Sequence, residues 1–166
     1  MTTLISIPIM GILAILQSSI VSRLPLLHGT ADLILLMIVA WALQKRVDTP
    51  WQWCIIGGLM FNIVSAVPFG IPLLGYALTT AIALLLRRRV WQVPVLAMIL
   101  VTFLGTLISQ SITLLALRVV GSSISIPQAL NLVMLPSLLM NILFAVPAYS
   151  LASELADWLY PEEIKV

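Results

Sequence analysis

The chain has 166 residues, is 61% hydrophobic, carries charge on only 8% of its positions and has a formal net charge of +2. Soluble domains run near a quarter charged, so this composition excludes a water-soluble core and leaves no room for an aqueous domain large enough to host chemistry. Runs such as 33–43 and 96–104 lack the period-two alternation of a lipid-facing strand, which excludes a β-barrel. What remains is an all-α polytopic membrane protein forming a single transmembrane domain over 1–166. At 1.5 Å per residue a hydrocarbon layer of about 30 Å takes roughly 20 apolar residues, so the length accommodates about six spans with short connectors.

The first segment lacks the basic start and small-residue cleavage site of a secretory signal and is expected to be a retained span over 4–21, ended by Arg23, Pro25 and Gly29. The second span, 31–46, opens with Thr30 as expected N-cap and Asp32 in the first turn, where a carboxylate meets the positive end of the helix dipole. Its apolar stretch Leu33–Leu43 is brief for a crossing and needs help from flanking residues. Thr49 and Pro50 fit the N-cap and first position of a third span over 50–67. Pro68, Gly70 and Pro72 make an uncharged turn into a fourth, 72–86, stopped by Arg87, Arg88 and Arg89, with Trp91 marking headgroup depth. Pro94 opens the fifth, 94–117, which Arg118 closes. Ser125 and Gln128 have capping-box spacing, and Pro136 is expected to separate a short interfacial helix, 127–135, from a sixth span, 137–158, kinked at Pro147.

No charge falls between Asp48 and Arg87, between Arg89 and Arg118, or between Arg118 and Glu154. Ion and proton pumps usually keep ionisable groups at membrane depth, so this emptiness argues against one. His28 has no neighbouring His or Cys with which to build a metal site, and Cys54 is expected to pack. No Ser, His and Asp set or carboxylate pair is visible at depth, so no catalytic, cofactor or metal residues are assigned. The basic residues are spread over loops as topology requires, which removes the case for nucleic acid.

Uncharged polar residues recur at helical spacing: Thr102, Thr106, Ser109, Gln110 and Thr113 on the fifth span, Asn62 and Ser65 on the third, Gln17 and Ser18 on the first, Asn141 on the sixth. Helix packing accounts for them most simply, because lipid offers no hydrophobic drive between helices and small or polar residues supply the contact. The candidates for packing or for a partner helix are Gly58, Asn62, Ser65, Thr106, Ser109, Gln110 and Asn141. Arg87, Arg88 and Arg89 are candidates for an anchor on anionic lipid or a cytoplasmic partner, at about 1 kcal/mol per charge. Acidic Glu154, Asp157, Glu162 and Glu163 gather toward the same face.

Three stretches resemble the bacterial rod shape-determining membrane protein family MreD. They are the junction 16–43 with Thr30-Ala31-Asp32-Leu33-Ile34-Leu35-Leu36, the run from Gly57 through Gly58 and Asn62 to Ser65 followed by Pro68-Phe69-Gly70, and the segment 136–148 with its two prolines. The family often carries an acidic residue where this chain has Asn62, so polarity carries over there and charge does not. The resemblance implies a non-enzymatic scaffold of the cell-elongation machinery in the bacterial cytoplasmic membrane. Such a scaffold binds the membrane helix of MreC and links cytoplasmic MreB to peptidoglycan synthesis by RodA and a class B penicillin-binding protein, with no small-molecule substrate. The family also resembles in fold the substrate-binding S-component of energy-coupling-factor transporters, which makes a vitamin-binding transport subunit the alternative.

With the N-terminus inside, Lys45, Arg46, Arg87, Arg88, Arg89 and Lys165 face the cytoplasm and only Arg23 and Arg118 lie outside, so both termini are expected to be cytoplasmic. A reporter fused after Lys165 is predicted to read cytoplasmic and one placed in the loop between Gly121 and Ser125 external. The reverse pattern would mean that the second span does not cross.

Overall fold

The computed structural model describes residues 2–19, 29–89, 93–122 and 125–161. Arg23, Pro25, His28, Trp91, Glu162, Glu163 and Lys165, named above, lie outside these, as does the side chain of Arg89. Among the described residues every regular element is helical: α1 (Thr2–Ser19), α2 (Leu33–Leu43), α3 (Pro50–Val64), α4 (Ile71–Arg89), α5 (Pro94–Val119) and α6 (Ile126–Leu159). Three of them are long and apolar enough to cross a bilayer, over Ile71–Arg88, Pro94–Val119 and Ile126–Leu159.

The arrangement follows from α2. It has 11 residues, no polar face, and every residue but Leu33 buried. A helix apolar all round belongs in an interior, and α2 is packed by α3, α4, α5 and α6 and more lightly by α1. The surrounding helices pack on one another in sequence, α1 on α3, α3 on α4, α4 on α5 and α5 on α6. No comparable packing joins α6 back to α1 among the described residues, so the wall around α2 is C-shaped. Its outer faces carry exposed Leu74, Leu78 and Leu85 on α4, Leu96, Leu100 and Phe103 on α5, and Leu139, Leu143 and Leu151 on α6. Apolar surface of that extent is stable only against lipid or another protein.

Close approach of α4 and α5 rests on two glycines facing hydroxyl side chains. A Cβ on Gly105 would sit 2.3 Å from Thr79 Cγ2, and one on Gly75 would sit 2.9 Å from Ser109 Oγ. At the far end of α2, Trp41 stacks on Trp53 of α3 with ring centroids 4.1 Å apart.

Two features differ from the sequence reading. Asp32, not Thr30, is the N-cap of α2. The expected separate interfacial helix over 127–135 is instead the start of α6, whose capping box at Ser125 and Gln128 is present. A π turn at Leu130–Met134 leads directly into Leu135–Leu159, with no break at Pro136. A proline removes its own N–H and presses on the carbonyl four residues back, here Leu132. The wider π turn lies over that carbonyl and lets the helix continue. Pro147 also lies inside α6.

Gly105→Ala is predicted to destabilise the protein by about 1–3 kcal/mol through overpacking against Thr79. Gly11→Ala, where an added Cβ meets nothing within 4 Å, should stay within about 0.5 kcal/mol of wild type. Thermal unfolding of the two variants in detergent checks the contrast.

Candidate functional site

The first four amides of a helix have no partner within it, and at the buried end of α2 the protein must supply acceptors. Asp32 Oδ1 accepts the Leu35 N–H at 3.0 Å, and Gln17 Oε1 of α1 accepts the Ile34 N–H at 3.3 Å. The Asp32 carboxylate in turn receives the Tyr76 hydroxyl of α4, 2.9 and 2.8 Å from its two oxygens. Asn141 of α6 works in both directions: Oδ1 accepts the Asp32 N–H at 2.7 Å, and Nδ2 donates to Thr106 Oγ1 of α5 at 2.9 Å. One turn earlier, Ser137 Oγ accepts the Thr30 N–H at 3.1 Å, beside Gly29, whose added Cβ would collide with Pro136 at 2.4 Å. Hydrogen bonds therefore join α1, α4 and α6 to the start of α2, and α5 joins them through Asn141. The sequence shows Asp32 only as an acidic residue in the first turn of the second span; the structure brings its carboxylate against Tyr76 of α4.

The other end of α2 is closed by a cation. Arg87 Nη1 donates to the Gln44 carbonyl at 2.9 Å and the Val47 carbonyl at 3.1 Å. A guanidinium there ties down the turn that follows α2 and complements the negative end of the helix. Arg46 pairs with Asp157 of α6 at 2.8 Å, with side chains 38% and 59% exposed, an ion pair of about 0–1 kcal/mol. Arg88 is exposed.

The other sequence candidates divide by location. Asn62 Nδ2 donates to the Gly58 carbonyl at 2.8 Å while Oδ1 accepts the Gly70 N–H at 3.0 Å. Gly70 has a φ of +89°, so Asn62 fastens a left-handed turn between α3 and α4. Gly58 lets Leu73 of α4 approach, and Ser65 Oγ accepts the Val67 N–H at 3.1 Å. Ser109 meets Gly75. Gln110 lines a groove with Thr113, Ala129 and Met134, at the π-turn end of α6. Thus only Thr106 and Asn141 share the network around Asp32, while Gly58, Asn62 and Ser65 serve the α3–α4 connection. Tyr76 and Ser137 were missed. A tyrosine in an otherwise apolar span is the available signal for Tyr76, because a buried hydroxyl needs a partner.

Where the wall is open, an apolar groove of about 120 Å³ runs between α1 and α6. Leu13 of α1 forms one side and Phe144, Ala148 and Leu151 of α6 the other, with Leu36 and Met37 of α2 at its floor. Among the described residues no group of three or more His, Cys, Asp or Glu could hold a metal ion.

Helices long enough to cross, apolar outer faces and a hydrogen-bonded centre define a polytopic α-helical integral membrane protein. A family model for the rod shape-determining protein MreD matches residues 1–153. The chain belongs to that family, and its role lies in rod shape determination. No curated protein and no solved structure matches it.

Tyr76→Phe is predicted to destabilise by about 1–2 kcal/mol, the worth of an interhelical hydrogen bond within a membrane. A double-mutant cycle with Asp32→Asn, read by unfolding in micelles, should return a coupling of about 1 kcal/mol. Additive effects would show that the pair is not joined.

Proposed function

We propose that this chain is a non-enzymatic scaffold of the cell-elongation machinery in the bacterial cytoplasmic membrane, and that the cleft between α1 and α6 receives the single membrane helix of an MreC partner. The observation that carries the reading is the one-sided wall around α2, with an apolar floor of Leu36 and Met37 at the opening. Helices associate in lipid by packing and shape, and a groove between two helices over a third offers a partner helix contact on three sides. The family match supports a partner within the rod-shape machinery. In the positive-inside orientation, Arg46 and Arg87 face the cytoplasm and the Asp32 network lies toward the periplasm. A partner helix seated in the cleft then leads to its periplasmic domain on the Asp32 side. MreB, RodA and the class B penicillin-binding protein connect to this unit in the same assembly.

Cysteine crosslinking in native membranes tests the placement. Single cysteines at Leu13 and Leu151 should form disulfides with a cysteine scanned along the partner's membrane helix, while Leu74 on α4 and Leu100 on α5 should not. Crosslinks confined to α4 and α5 would overturn the cleft assignment. A vitamin retained in stoichiometric amount through purification would overturn the scaffold reading in favour of a transport subunit.

A further inference from the structure

A second cavity, of about 250 Å³, opens at the Arg87 end of α2. Lys45, Arg46 and Arg87 bring three basic side chains to it, and Tyr149 and Ser153 of α6 add two hydroxyls. The guanidinium of Arg87 is held in place by the Gln44 and Val47 carbonyls, and Asp157 accompanies Arg46. The first turn of α5, at Pro94 and Ala97, forms part of the same wall, and its N-cap Val93 offers no side-chain acceptor. The positive end of a 26-residue helix thus adds to the basic side chains. Gln44 adds an independent observation. Its side chain lines the cavity beside Tyr149 at only 7% exposure, and its Nε2 lacks a well-formed hydrogen bond. A buried amide donor so placed among basic side chains suits an oxygen-rich anion.

Leu96, Leu100 and Phe103 of α5 are exposed, on a face turned away from the cavity-lining Pro94 and Ala97. The site therefore offers phosphate recognition at the level where a helix with an apolar outer face begins. We propose that this cavity binds the phosphate of an anionic phospholipid, with Lys45, Arg46 and Arg87 balancing its charge and Gln44, Tyr149 and Ser153 donating to its oxygens. This site lies at the opposite end of α2 from the Asp32 network, and its occupancy does not depend on the partner cleft.

Native mass spectrometry of the full chain in detergent tests this, with phosphatidylglycerol and phosphatidylcholine of identical acyl chains as probes. Wild type should retain phosphatidylglycerol over phosphatidylcholine. Lys45→Gln should lower that retention about fivefold, the effect of one surface charge. Ser153→Leu, which fills the cavity without changing charge, should lower it as well, while Arg118→Gln should leave it unchanged. Equal retention of the two lipids, or retention indifferent to both Lys45→Gln and Ser153→Leu, would overturn the proposal. Displacement of phosphatidylglycerol by inorganic phosphate alone at matched concentration would overturn the lipid assignment and identify a free-phosphate site.

Discussion

The first-turn amides of α2 need acceptors inside the protein, because an 11-residue helix spans only about 16 Å and cannot carry both ends to the water on either side of a bilayer. In hydrocarbon each unmet backbone group costs several kcal/mol. The chain meets that demand from its neighbours: Gln17 and Asp32 at one end, the Arg87 guanidinium at the other. The Asp32 carboxylate then needs a donor itself, which Tyr76 supplies from α4, while Asn141 of α6 accepts the Asp32 backbone N–H. Each of these bonds fixes where a surrounding helix stands relative to α2, so the polar contacts set the register of the bundle while apolar packing fills it.

This division of labour explains why the wall can remain open. α4 and α5 are locked by the interleaved Gly75, Thr79, Gly105 and Ser109, and α5 and α6 by the Thr106–Asn141 bond. α1 packs chiefly on α3 and reaches the start of α2 through Gln17. The side of α2 between α1 and α6 is covered only by side chains, which leaves a narrow apolar groove without loss of the tethers that hold the core.

Much of the architecture was legible in the sequence. Composition and the absence of alternation gave the helical membrane class, proline and arginine punctuation gave the elements, and Ser125 with Gln128 gave the start of α6. The pairing of helices was not legible, because α2 is uniformly apolar and has no periodic face to say which neighbours it meets. Asp32 was visible as an acidic residue at a helix start, but its tyrosine partner is 44 residues away, beyond any local pattern. Thr106 and Asn141 were singled out for polarity alone, and only their contact shows that they act together. Asn62 was placed among partner-facing or packing candidates, and its bonds to Gly58 and Gly70 show that it completes a turn. Pro136 misled for a physical reason: proline punctuates an α-helix reliably, and the π turn that accommodates it here leaves no local signature.

The central claim is that α2 is screened from lipid by a wall built around its two polar ends. Photoreactive phospholipids carrying a carbene precursor near the acyl-chain terminus test it on the unmodified protein in nanodiscs. Mapping the adducts by mass spectrometry should find them on the outward residues of α4, α5 and α6, such as Leu78, Leu100 and Leu143, with none along Ile34–Leu43 beyond the groove floor at Leu36 and Met37. Labelling around the whole circumference of α2, at a level matching α4 or α5, would contradict the account.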